Sequence, residues 1–204
     1  MPSFDLEQKL APRVVVGVDE AGCGPWAGPV VAAAVIIDAS LWGDALWQHI
    51  NDSKKLNAVQ RQRLAEAIRT LDPTLVQWGI GEASVAEIDQ LNIRQAAFLA
   101  MNRALAQVTR APDIALVDGK FAPQLGCPVQ MVIKGDGLSC SIAAASILAK
   151  VHRDTIMATL AQEYPDYGWE RNAGYGTALH QQALKAHGIT PHHRRSFAPI
   201  RNYV

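Results

Sequence analysis

Three strand-like runs in this 204-residue chain lead into acids. The run Arg13 to Val18 meets Asp19 and Glu20, Ile114 to Val117 meets Asp118, and Val129 to Ile133 is followed closely by Asp136. Loops at strand ends are where α/β proteins place chemistry. If these strands are neighbours, four carboxylates converge. Two unit charges about 4 Å apart repel by about 4 kcal/mol at an effective dielectric near 20. Such a cluster persists by taking up protons or by binding cations. Oxygen-only ligands, without His or Cys, favour Mg²⁺ or Mn²⁺ over zinc. Two such ions about 3.5–4 Å apart can hydrolyse a phosphodiester, one activating water and the other stabilising the leaving oxygen. A lone Asp after a strand is usually a turn or cap residue. Four acids behind apolar runs shift the balance toward a site.

Between the first two runs lies a turn of three glycines and two prolines, with Gly22, Gly24, Pro25, Gly28 and Pro29 in it. It does not match G-x-G-x-x-G, and no Gly-Lys-Ser/Thr ending makes it a P-loop. Its glycines permit close approach of backbone amides to a ligand. The plainer alternative is a tight hairpin turn with no ligand.

The elements that must position these residues can be read from periodicity. Arg13–Val18 and Val30–Ile37 are β-branched or apolar runs that suggest a hairpin. Asn57 to Leu71 reads as a helix, with Asn57 as N-cap and Gln60 three residues on. Val76, Trp78 and Ile80 alternate like a half-buried strand, and Ser84 to Glu87 is a capping box opening a helix. Ile93 to Thr109, Ser141 to Tyr164 and Thr177 to His187 read as further helices. The pattern predicts one α/β layer system over residues 1–204 as a single domain. A loose arm is expected over 1–12 and a helical, basic portion over about 141–204.

Lys plus Arg equals Asp plus Glu at 19 each, so the net charge is zero. The balance hides an asymmetry. From Arg171 onward there are five basic residues, four of the six histidines and no acid. The remainder is therefore net acidic. An acidic body with a basic C-terminal segment suits a metal site beside a polyanion; a solvated surface is the bland reading. The three cysteines form no C-x-x-C, which argues against a zinc ribbon and for a reducing, cytoplasmic setting. No apolar run approaches the roughly 20 residues of a membrane span, and charges at Asp5, Glu7, Lys9 and Arg13 leave no room for a signal-peptide core.

The motifs together resemble the ribonuclease HII family. The resemblance rests on Gly17 to Pro29 followed by Val30 to Val35, then Asp52-Ser53-Lys54-Lys55-Leu56, Ala100 to Ala104 and Leu116 to Lys120. It continues through Ile133 to Asp136, Ser141 to Val151 with Arg153 and Asp154, Gly174 to Thr177, and His193 to Phe197. It implies a ribonuclease H-like fold: a mixed five-stranded sheet flanked by helices, with a helical C-terminal portion. It also implies an endonuclease that cuts the RNA strand of RNA–DNA hybrids. Such an enzyme would also incise duplex DNA 5′ to single embedded ribonucleotides, leaving 3′-hydroxyl and 5′-phosphate ends. The family's metal-binding carboxylates map onto Asp19, Glu20, Asp118 and Asp136, with Mn²⁺ or Mg²⁺ as cofactor. Its Gly-Arg-Gly turn, which reads a ribose 2′-hydroxyl through the backbone, maps onto Gly22, Cys23 and Gly24. Tyr175 matches the tyrosine that packs on the neighbouring sugar. Lys54, Ser146, Lys150, Arg194 and Arg195 become candidates for phosphate contacts. A monomer is expected.

Cys23 departs from the pattern, because it replaces an Arg. Cys supplies neither the charge nor the reach of a guanidinium. A thiol near a metal site could also take soft ions or oxidise. The competing reading is therefore a hybrid-binding protein whose catalysis Cys23 has weakened. A resolvase or transposase core would share the acids but gives no reason for the glycine turn or Tyr175.

Overall fold

The computed structural model describes residues 1–203. Five strands form one sheet: β1 (Val15–Ala21), β2 (Val30–Ile37), β3 (Val76–Ala83), β4 (Ile114–Asp118) and β5 (Val129–Val132). Their spatial order is β3-β2-β1-β4-β5. β1–β2 and β2–β3 are antiparallel, whereas β1–β4 and β4–β5 are parallel. The sheet is therefore mixed, and its parallel half places the C-terminal ends of β1, β4 and β5 along one edge.

The helices are α1 (Asp5–Leu10), α2 (Ala58–Arg69), α3 (Val85–Leu91), α4 (Ile93–Leu105), α5 (Cys140–Glu163), α6 (Trp169–Asn172), α7 (Ala178–His187) and α8 (Ala198–Arg201). Both expected capping boxes form, Asn57 with Gln60 and Ser84 with Glu87. α5 covers one face of β1 and β2, and α4 covers the other face of β2 and β3. Small residues let these layers approach closely. Ala32, Ala33 and Ala34 of β2 and Ala143, Ala144 and Ala145 of α5 are all fully buried. At Gly17 a Cβ would collide with the backbone of Ser141 and Ile142 at the start of α5. Gly17 thus sets how near the helix N-terminus comes to β1.

Two expectations need correction. Residues 1–12 are not a loose arm. Phe4 is buried and stacks on Trp42 at 5.3 Å between centroids, with Trp47 edge-on at 5.9 Å. Glu7 is 2% exposed. Its Oε1 accepts from the hydroxyls of Ser139 (2.6 Å) and Ser141 (2.7 Å), and from the Ser141 N–H at 3.1 Å. Ser3 pairs its backbone with Leu138 and Cys140. The N-terminus therefore clamps the segment joining Asp136 to α5. The first strand also runs further than its apolar residues suggest. β1 extends through Asp19 and Glu20 to Ala21, carried by pairing with Ala33 to Val31 of β2. The C-terminal portion is helical as expected, with the short helices α6 and α8 added. Among the described residues, no helix is long and apolar enough to cross a membrane.

Candidate active site

The parallel neighbours β1 and β4 bring Asp19 and Asp118 side by side, since Val18 pairs with Val117 one step earlier. β5 then leads into a tight 3-10 turn, Gly135–Gly137, that carries Asp136. The Gly135 N–H donates to Asp118 Oδ1 at 2.7 Å, tying this turn to the end of β4. One carboxylate oxygen from each of Asp19, Asp118 and Asp136 lies within 4.8 Å of the others. Glu20 stands beside this trio. Successive residues of a strand project to opposite faces, so Glu20 leaves the strand on the side away from Asp19. Its Oε1 accepts a weak hydrogen bond from the Cys23 thiol at 3.5 Å.

The electrostatics suit a cation site. Asp19 is 4% exposed. Burial first, then the charges of Glu20, Asp118 and Asp136, hold its carboxyl well above the usual range, against one lowering contact from the Glu20 N–H. Burial also raises Glu20, and burial with the charges of Asp52 and Asp118 raises Asp136. Lys54 is the nearest cation, its Nζ 3.7 Å from Asp136 Oδ2. Partial desolvation opposes the Lys54 charge, but the facing acids Asp136, Asp19 and Asp52 hold the ammonium above its ordinary value. Clustered, partly buried carboxylates with no His or Cys ligand among them fit a hard divalent cation. Asp19, Asp118 and Asp136 form the central set of ligand oxygens, with Glu20 at the side.

The glycine turn adjoins these acids. Gly22 has φ +100°, and a Cβ there would run into the Arg153 guanidinium group and approach Pro29 O at 2.9 Å. Behind the turn, Arg194 donates to the carbonyls of Gly22 (2.6 Å), Cys23 (3.2 Å), Gly28 (2.9 Å) and Pro29 (3.1 Å). Arg153 donates to those of Ala27, Pro29 and Ala173. Two buried arginines therefore draw the carbonyls inward. The N–H groups of Cys23 and Gly24 have no acceptor among the described residues. Tyr175 is 50% exposed, and its ring lies 3.3 Å from where a Cβ on Gly24 would sit.

The family model for Ribonuclease HII matches residues 16–200. The chain belongs to the ribonuclease HII family. Ribonuclease HII of Rhodospirillum rubrum is 63% identical over 201 residues, covering 98% of this chain and 91% of that one. Ribonuclease HII of Gluconobacter oxydans is 56% identical over 204 residues, covering 100% and 97%. Among solved structures, ribonuclease HII in its complex with PCNA from Archaeoglobus fulgidus has a TM-score of 0.72 at 27% identity, covering 89% of this chain and 93% of that one. Bst-RNase HIII in complex with Mn²⁺ shares the fold, with a TM-score of 0.75 at 21% identity over 100% of this chain and 73% of that one. Membership makes this protein a metal-dependent endoribonuclease, a ribonuclease H acting on RNA–DNA hybrids.

Within that family frame, several site residues behave differently from what their types suggest. Arg194 is fully buried, and its donors are spent on carbonyls, so it is a strut of the glycine turn and not a phosphate contact. Ser146 is 3% exposed and its hydroxyl donates to Ser53 Oγ at 2.7 Å, which pins the Asp52–Lys54 loop to α5 and leaves no open face for phosphate. Lys150 pairs with Asp154 at 2.6 Å. Lys54 and Arg195 are exposed. Burial, followed by the charge of Glu20, pushes the Cys23 thiol far up, which opposes thiolate chemistry there. Sequence reasoning missed Asp52, which faces Asp136, and Arg153, which supports the turn. Asp52 had a signal in its Asp-Ser-x turn pattern, since its Oδ1 accepts from the Lys54 N–H at 2.9 Å. Arg153 stood in a motif block of the resemblance, but nothing local gave it a role.

Proposed function

We propose that this ribonuclease HII also incises duplex DNA on the 5′ side of a single embedded ribonucleotide, leaving 3′-hydroxyl and 5′-phosphate ends. The observation that carries this reading is the inward turn of the Gly22 and Cys23 carbonyls onto Arg194, beside a half-exposed Tyr175. That arrangement leaves the Cys23 and Gly24 N–H groups free to donate to a ribose 2′-hydroxyl, the group that separates RNA from DNA at one position. The Tyr175 ring offers an apolar face to the sugar that follows. Lys54, Lys150 and Arg195 supply positive charge for the backbone phosphates.

Asp19, Glu20, Asp118 and Asp136 would hold two Mg²⁺ or Mn²⁺ ions. When bound, such ions lower the pKa of the attacking water and stabilise the leaving oxygen. The chain's own residues do the placing. The Gly135 N–H fixes the Asp118 carboxylate, and the Glu20 N–H fixes Asp19 Oδ1 at 2.7 Å. Lys54 balances Asp136 until the substrate's phosphate arrives. The protein works as a monomer and a single domain in this reading.

The test is a DNA duplex carrying one ribonucleotide, incubated with Mg²⁺, Mn²⁺ or EDTA. Incision 5′ to the ribonucleotide is expected with either ion. It should be abolished by EDTA and by Asp118→Asn. Retained binding without any cutting would replace this reading with a hybrid-binding protein, with Cys23 as the first residue to revert.

A further inference from the structure

The buried histidines His180 and His193 have no part in the reading above, although both are fully enclosed. Their hydrogen bonds determine their tautomers. His180 Nδ1 lies 3.0 Å from the Tyr175 carbonyl oxygen, which can only accept. His180 Nδ1 must therefore carry the proton, and its Nε2 must accept. That Nε2 faces His193 Nε2 at 2.9 Å and the Trp169 indole N–H at 3.4 Å. His193 Nε2 must in turn be protonated, which leaves its Nδ1 to accept from the Thr190 N–H at 2.9 Å. Each ring nitrogen works in one direction, with His180 Nε2 accepting from His193 and Trp169 and His193 Nδ1 accepting from the N–H and hydroxyl of Thr190, and both rings are neutral. Burial pushes both histidines down, His193 to about 4 with help from His180, which agrees with an uncharged pair.

The two ends of this relay reach the two halves of the ribonucleotide-reading site. At one end His180 holds the carbonyl of Tyr175. At the other, His193 bridges to Ala27 and precedes Arg194, whose guanidinium holds the Gly22 and Cys23 carbonyls. The Trp26 N–H donates to Gly174 O, and the Arg194 N–H donates to Trp26 O, both at 2.8 Å. We infer that the His180–His193 pair sets the spacing between Tyr175 and the Gly22–Gly24 turn, and so acts as a positioning device for selection of the single-ribonucleotide junction. The inference rests on the role given to Tyr175 in the proposed function.

The measured quantity is kcat/KM on a single-ribonucleotide duplex divided by kcat/KM on a uniform RNA–DNA hybrid. His193→Phe keeps a flat ring but removes both the Nε2–H donor and the Nδ1 acceptor. This ratio should fall about tenfold, the worth of one hydrogen bond, with the loss in KM. In a Tyr175→Ala background the same substitution should change the ratio by less than about twofold, because coupled residues do not add. An equal loss in both backgrounds, or none in either, overturns the inference. If Tyr175→Ala alone leaves the ratio unchanged, the reading of Tyr175 fails instead. Should His193→Phe not fold, the wild-type protein still decides: imidazole ¹H–¹⁵N spectra at neutral pH should show His180 as the Nδ1–H form and His193 as the Nε2–H form. Either ring charged or in the other tautomer breaks the relay.

Discussion

Replacing Asp19 by Asn should stabilise the metal-free protein while abolishing hydrolysis. Asp19 is 4% exposed and shares a 4.8 Å group with Asp118 and Asp136. At that separation each ionised pair repels by about 3.5 kcal/mol for an effective dielectric near 20. Proton uptake relieves part of this, as the raised Asp19 carboxyl indicates. The sign follows from linkage. An acid with a raised folded-state pKa binds its proton more tightly when folded, so ionising it as pH rises costs stability. Asn retains the Oδ1 that accepts from the Glu20 N–H and adds donors near the remaining acids. With proton uptake and Lys54 discounted, a gain of about 2–3 kcal/mol at pH 8 is expected, or about 4–12 °C in Tm for a chain of this size. Thermal melts in EDTA from pH 5 to 8 should show the gap closing as the pH falls. Mg²⁺ should raise the wild-type Tm more than that of the variant. A variant melting at or below the wild-type temperature in EDTA at pH 8 would refute the repulsion argument.

Cys23→Arg should tighten binding to a ribonucleotide-bearing duplex and steepen its salt dependence by about one unit of log–log slope; unchanged affinity across a salt series would count against it. Arg194→Met should destabilise the fold by about 3–5 kcal/mol, because it strands buried carbonyls that Arg194 now satisfies; denaturant melts showing less than about 1 kcal/mol would sink the strut assignment. Acid should act through His193, whose folded value is about 4 against an unfolded value near 6.5. The folded state resists a proton that the unfolded chain accepts, so stability is full above about pH 6.5 and drains by up to about 3 kcal/mol toward pH 4. His193→Gln should flatten that part of the profile, and a parallel curve would show that another group titrates.

The parts of the fold that local sequence could specify were legible. Asn57 with Gln60 and Ser84 with Glu87 mark helix starts because capping is settled within four residues. The acids at Asp118 and Asp136 could be placed at strand ends because the apolar runs stop just before them. What stayed hidden depends on distant partners. Helix α1 has only six residues; its N-cap Phe4 packs on Trp42 and Trp47 and its Glu7 is held by Ser139 and Ser141, none of them near it in sequence. Arg194 read as a phosphate contact and Arg153 received no role, because nothing local announces that backbone carbonyls will surround them. Glu20 shows the same limit within the site. Its type and position are evident, yet which side of β1 it leaves by depends on how far the strand continues.

The Glu7 clamp has a consequence for the order in which the enzyme comes into being. Its partner Ser139 lies 132 residues downstream, and Asp19 must wait for Asp118 and Asp136 before a cation site exists. A nascent chain emerging from a ribosome therefore carries no assembled carboxylate trio until more than half its length has been made. The parallel pairing of β1 with β4 closes a long loop, and such pairings form late and slowly. The cation site thus cannot assemble before residue 136 has been made.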